Sequence, residues 1–400
     1  MNIKGSTSEL PMELSNLATQ SLQKSVFTQQ EVDAIVEVVK SGAWWMGPNG
    51  NKTLTSLEKE FASYQNTRYA LAVTNGSHAL EIILRNLGVA PGTEVIIPAY
   101  APISTGMAVL MLGATPVFVD VQQDTMTLDP ILLEAAINSK TQVILAVHLN
   151  GVSSNIVELA TMARRLNIYL VEDCSHAHGT RFQGKPVGSF GIAGSFDFHS
   201  SQMISGGEGG MIVTNDRELY HQCWSQHNCG RGWGKAKNRY FNVGTNYRMT
   251  VFQAALIQIQ LKRFITKIRP AYLRNLLTLD DALNQIPGIT PQFRHPQLDA
   301  PAYQYTFRHD HQKFGNLSRN QTIECLQNHG ITTQSPNAIA LPCQPLFKSQ
   351  LCNTNQRFPV AEALENTVIC LPHTALLETE SIIKIAESLD KIGGHLMANL

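Results

Sequence analysis

Charge of one sign, paired cysteines and long apolar runs are all missing from this 400-residue sequence, and each absence excludes a class of protein. Lys+Arg and Asp+Glu balance at 31 each, so no overall field draws the chain to nucleic acid or to an anionic membrane. The densest basic stretch, QLKRFITKIR at 260–269, sets its charges at helical spacing among apolar residues and reads as a solvated helix face. Seven cysteines (174, 223, 229, 325, 343, 352 and 370) are scattered and odd in number, with no CxxC pair. That argues for reduced thiols and against both a disulfide framework and a zinc site. No stretch approaches a membrane span, and MNIKGSTSELPMELSNLA lacks the basic-then-apolar order of a secretory leader. The expectation is a soluble, cytoplasmic protein with neither a nucleic-acid nor a membrane partner.

What is present is a globular composition, 43% hydrophobic and 16% charged, with an ample core. From 68 to 174 the pattern alternates. Apolar, β-branched runs stand at YALAV (69–73), EVIIPA (94–99), TPVFVDV (115–121), QVILAVHL (142–149) and IYLVEDC (168–174). Amphipathic stretches separate them at 77–88, 129–138 and 154–167. Strands apolar throughout, alternating with helices, predict an α/β fold with a mostly parallel sheet covered on both faces. Ligands of such sheets bind beyond the carboxyl ends of the strands. The segment 249–283 reads as a long helical stretch broken or kinked near Pro270. A boundary near 265–285 divides a large domain (1–265) from a smaller C-terminal α+β domain (266–400).

After the first strand comes TNGSHAL, where Gly76 and Ser77 open a helix. Free backbone N–H groups at the positive end of the helix dipole suit a phosphate. An ordinary N-terminus capped by Asn75 or Ser77 is the other reading. After the fifth strand comes VEDCSHAHG, which places Asp173 at the sheet edge, followed by His176 and His178. A buried carboxylate there needs a cation or several donors. A protonated pyridine nitrogen would serve, and so would a capping or turn role. Asp173, His176 and His178 make a metal set only on paper, because no third element supplies a ligand, and no metal is expected. Cys174, following a buried strand, reads as packing.

In this order and spacing, the motifs resemble the DegT/DnrJ/EryC1/StrS family of sugar and cyclitol aminotransferases, a branch of the type I pyridoxal-phosphate (PLP) fold. The resemblance runs from SGAWWMGPNGNKTLTSLEKEF through TNGSHALEIIL, PGTEVIIPAYAPISTGMAVL, VEDCSHAHGTRFQGKPVGSFG and GEGGMIVTND to GTNYRMTVFQAALIQIQL and PVAEALENTVICLPH. It implies that Gly76 and Ser77 cradle the cofactor phosphate, that Asp173 holds the pyridine nitrogen protonated, and that His176 lies near the ring. It further implies that Asn246 is lent to a neighbouring subunit, hence a homodimer, and that His178 and His373 approach the substrate.

Four positions depart from the pattern, in FDFHSSQMISGGEGG and its surroundings. Gln202 occupies the place of the lysine that bonds the cofactor and moves protons, and an amide nitrogen is neither nucleophilic nor basic near neutral pH. Asp197 stands where a serine donates to the phosphate. A carboxylate about 5 Å from a phosphate dianion at an effective dielectric of about 20 costs roughly 3 kcal/mol per unit charge, about 6 in all. Pro102 stands where an aromatic ring usually covers the pyridine, and Ile192 replaces an aspartate, a change with no assigned meaning. Three explanations compete. Gln202 is an introduced substitution; or PLP or pyridoxamine phosphate (PMP) is held non-covalently, with His199, His176 or His178 as the base; or the cofactor is gone. In the last case the pocket runs another reaction on a polar hydroxylated or amine-bearing small molecule, with Asp197, Gln202, His199 and His176 as its working residues, or the chain is a silent partner of an active paralogue. His199 reads equally as an ordinary packed histidine.

Overall fold

The computed structural model describes residues 27–47, 51–234, 239–313, 317–328, 331–333, 335–349, 356–372, 382–383 and 385–391. Its centre is a seven-stranded sheet in the order Tyr69–Val73, Gly210–Thr214, Ala193–Asp197, Tyr169–Asp173, Thr141–Val147, Glu94–Pro98, Thr115–Val119. Six strands run one way. Gly210–Thr214 alone is reversed, antiparallel to both of its neighbours. The five runs expected from β-branched content are the five strands observed, within two residues at each end. The strands Ala193–Asp197 and Gly210–Thr214 escaped the pattern, because AGSFD and GMIVT are short and rich in glycine and small residues.

Register brings the strand ends together. Val73 pairs with Gly210, Gly210 with Asp197, and Ser195 with Asp173, so Asp197 and Asp173 stand near one edge of adjacent strands. The helix Gly76–Asn86 starts directly above this row, capped by Asn75, whose Oδ1 accepts the His78 N–H at 2.8 Å. Its buried Ala79, Leu80, Ile82 and Ile83 seat it on the sheet. Gly210 is required beneath it: a Cβ there would lie 2.3 Å from the Asn75 backbone.

The C-terminal residues build a second sheet, Ile289–Pro291, Gln304–His309 and Val368–Pro372. A short strand Ala338–Ala340 returns to pair with Tyr100–Pro102. The helical stretch after 249 breaks as expected, but slightly earlier than Pro270. Helix Val251–Arg263 widens to a π-turn over Phe264–Ile268 before Arg269–Leu283 resumes. Pro270 offers no N–H to the carbonyl four residues back, and the preceding turn absorbs the mismatch. No helix among the described residues is long and apolar enough to cross a membrane.

Candidate functional site

Asp173 ends its strand buried, and burial pushes its carboxyl above the ordinary carboxylate range. Ser175 opposes that rise with two hydrogen bonds to Oδ1, from N–H at 3.1 Å and from Oγ at 2.7 Å. Thr105, on the helix Ile103–Leu110 that follows Pro102, donates to Oδ2 at 3.2 Å. All three donors are neutral, and His148 also favours the charged form. Its neighbour in sequence, Glu172, points to the other face and is fully matched. Glu172 accepts the N–H groups of Gly188, Phe190 and Gly191, each at 2.7 Å, and faces His148 Nε2 at 3.0 Å. His148 Nδ1 accepts from Ser154 N–H, which leaves Nε2 carrying the proton. Glu172, His148 and Cys174 lie close enough to suggest a metal site, yet the carboxylate is already saturated. Burial also holds the Cys174 thiol well above its usual range. This cluster ties the 188–191 loop under the sheet.

At the end of the neighbouring strand, Asp197 stands on the helix N-terminus. Its Oδ1 accepts the Gly76 N–H at 3.3 Å. A Cβ on Gly76 would lie 2.7 Å from the Asp197 Cβ, so glycine is what lets the acid sit there. Burial raises the Asp197 carboxyl; the Gly76 N–H, His199 and a hydrogen bond from Gln202 work against the rise, and Glu208 adds to it. Burial is thus the main cause of the raised value at both carboxyls. Gln202 is buried with its amide turned to Asp197, and its Oε1 has no hydrogen-bond partner among the described residues. The sequence holds no lysine between Lys185 and Lys235.

The histidines divide. His176 and His178 are buried, and burial lowers their pKa to about 3 and about 4, so both are neutral. His178 Nε2 donates to the Asp197 backbone carbonyl at 2.7 Å, an anchor for the segment that carries Asp197. His176 lies flat against Tyr303, centroids 4.2 Å apart. His199 is exposed on the turn before Gln202, with Nδ1 2.9 Å from Ser201 Oγ. Ser77 is exposed, and Pro102 is half-buried in its pairing with Ala338. Asn246 is exposed beyond the edge strand, bridged to Asn228. Ile192 is half-buried against the sheet core. His373 lies outside the described residues. Thr105, Ser175, Ser201 and Tyr303 join the site without having been singled out in the sequence. Ser175 was within reach of the Asp173 motif; Tyr303 is brought in by the fold alone.

The sequence model of the DegT/DnrJ/EryC1/StrS aminotransferase family matches residues 26–390. The chain belongs to this family. It is 38% identical over 270 residues to 3-amino-5-hydroxybenzoate synthase of Amycolatopsis mediterranei, covering 66% of this chain and 68% of that one. A crystal structure of a 3-amino-5-hydroxybenzoic acid synthase superposes with a TM-score of 0.84 at 30% identity, over 92% of this chain and 97% of that one. The dTDP-3-amino-3,4,6-trideoxy-alpha-D-glucose transaminase of Streptomyces venezuelae is 31% identical over 359 residues, 89% of this chain and 90% of that one. Spr1654 of Streptococcus pneumoniae, solved in PLP- and PMP-forms, superposes with a TM-score of 0.83 at 26% identity, over 93% and 92% of this chain respectively and 97% of that one. The fold is the type I aminotransferase fold of this family.

The side chains fit such a cofactor at one end only. A buried carboxylate at Asp173, hydrogen-bonded by the neutral donors Ser175 and Thr105, suits a protonated ring nitrogen. The phosphate end does not fit: the Gly76 N–H, one of the few donors a helix start offers an anion, already serves Asp197.

Proposed function

We propose that this aminotransferase-family chain does not carry out lysine-dependent transamination, and that its site takes a polar, hydroxylated or amine-bearing small molecule without PLP. The observation that supports this most is the Asp197 carboxylate on the Gly76 N–H. A side-chain carboxylate there satisfies the helix N-terminus from within and repels a phosphate dianion by several kcal/mol. Gln202 beside it offers neither a nucleophile nor a base. The group left to hold and release a proton at that spot is Asp197, whose raised carboxyl keeps a proton further towards neutral pH than a free aspartate does. Asp173 favours a second reading, in which the ring of PLP or PMP still binds non-covalently through that one carboxylate.

The test is a titration of the purified protein with PLP and, separately, PMP, read by calorimetry and visible absorbance. The unmodified chain is expected to bind neither at micromolar concentration, and Asp197→Ser/Gln202→Lys to bind PLP and acquire visible absorbance. Micromolar binding by the unmodified chain would overturn the proposal and establish the second reading. We further propose a homodimer that buries the exposed apolar side chains near the start of the described chain, with Asn246 lent across the interface.

A further inference from the structure

We infer that the cavity along one edge of the sheet is a second binding site, taking a small molecule with a flat aromatic body and an anionic head group. It encloses about 810 Å³, within the span of about 300–1,000 Å³ usual for small-molecule sites. Its floor is the edge strand Tyr69–Val73, and its walls come from the helices Lys52–Tyr64 and Arg217–His227 and from the loop that follows the second. None of the residues assigned above to the Asp173 and Asp197 site lines it. The inference therefore stands apart from how that site works.

Aromatic rings dominate one wall. Three of the four tryptophans in the sequence, Trp45, Trp224 and Trp233, line the cavity. Tyr69 stacks on Tyr220 with centroids 4.8 Å apart, and Tyr220 meets Trp233 edge-on at 5.4 Å. Trp233 meets Trp224 edge-on at 4.9 Å, so the four rings form one connected row. The row is not closed over: Trp233 is 43% exposed. Rings left open in this way offer a flat ligand the offset and edge contacts that aromatic pairs favour.

The charge of the lining decides the head group. Arg231 and Arg248 both donate to the buried Asn228 Oδ1, at 3.3 and 3.0 Å. Arg231 also lies over Tyr240 and Arg248 over Trp45, and among the described residues neither is paired with a carboxylate. Two guanidinium groups gathered on one amide oxygen repel each other, and an anion that accepts N–H groups from both removes that repulsion. Lys59 and Arg68 add positive charge, and Glu58 is the only acid of the lining. Burial raises the Glu58 carboxyl to about 7 and lowers His227 to about 4, so near neutral pH the one is only partly charged and the other is neutral. Four cations face one weakened acid, which favours an anion over an amine.

Isothermal calorimetry at pH 6 on the full-length protein, in its own oligomeric state, tests this with four probes. 2-Naphthoate and 2-naphthyl phosphate are expected to bind, and the tighter of the two identifies the preferred head group. 2-Naphthylmethylamine keeps the rings but carries a cation, and cyclohexanecarboxylate keeps the anion but has no flat ring. Both should bind at least about tenfold more weakly than the better aromatic anion. Arg231→Gln and Trp233→Ala should each weaken that anion by about fivefold or more. Trp45→Ala replaces either variant should circular dichroism show it unfolded. Binding of neither aromatic anion, equal binding of the amine or of cyclohexanecarboxylate, or an affinity unmoved by the folded variants would overturn the inference. PLP is absent from every arm, so this reading and the one above fail separately.

Discussion

Gly76 and Asp197 occupy each other's space, and that pair decides what kind of anion the helix start can hold. With 2.7 Å between the added Cβ and that of Asp197, Gly76→Ala forces the acid off its seat. It is expected to cost about 1–3 kcal/mol, the usual range for overpacking a tight site. In an Asp197→Gly background the same substitution meets only backbone at 3.3 Å and should cost less. Chemical denaturation of the four proteins of this cycle checks the coupling, expected to exceed about 0.5 kcal/mol. Additive effects would mean that Asp197 does not rest on Gly76. Glu172 is the contrasting acid. It accepts three backbone N–H groups and faces a histidine proton, so its role is to hold a loop and not to meet a ligand.

Among the elements, the strand Tyr69–Val73 is one edge of the sheet, and the backbone it does not pair within the sheet has to be satisfied by other elements. Glu58, on the helix Lys52–Tyr64, accepts the Ala72 N–H at 3.0 Å. It does so on the wall of a cavity of about 810 Å³ shared with Trp45, Tyr220, Trp224 and Arg248. Burial raises its carboxyl to about 7 from 4.5, against the opposing pull of that N–H. The folded chain therefore binds more protons here than the unfolded chain between those two values, and stability falls as pH rises through that window. Glu58→Gln keeps an acceptor for Ala72 and removes the charge. Its melting temperature is expected to exceed that of the unmodified protein at pH 8 and to match it at pH 4. An equal difference at both would show that the carboxyl does not titrate in this range.

At the scale of elements, the sequence carries some of the fold openly and hides the rest. Five parallel strands were legible because YALAV, VIIPA and their like are apolar throughout and bounded by helices. Asp173 was legible because it ends such a strand. The reversed strand Gly210–Thr214 was not, since five residues beginning with glycine carry little periodicity. The partners of Asp173 and Tyr303 were illegible for a different reason. Thr105 and Asn337 reach them from distant segments, through contacts that only the assembled sheet creates.

For the whole molecule, several exposed apolar side chains of the described residues fall together near the start of the described chain. Val32, Val36 and Val39 line one face of the helix Gln29–Ser41, and Trp44 and Trp45 follow at about half exposure. Phe241 and Val243 are exposed as well. Scattered exposed residues need no explanation, but a run at helical spacing beside two tryptophans asks to be covered. Light scattering after gel filtration should give the mass of two chains, and Val36→Glu should shift it towards one. A single-chain mass for the unmodified protein would refute the homodimer.

The pairing of Pro102 with Ala338 has one more consequence, and it concerns time. The helix carrying Thr105 begins at Ile103, directly after that paired strand, and Asn337 precedes the strand's other half. Donors to Asp173 and to Tyr303 are thus set by one late, long-range meeting of chain segments. Contacts so distant in sequence close slowly, because the loop between them must first be ordered. A nascent chain that has made its central sheet therefore still lacks a finished site, and competence should arrive last during refolding.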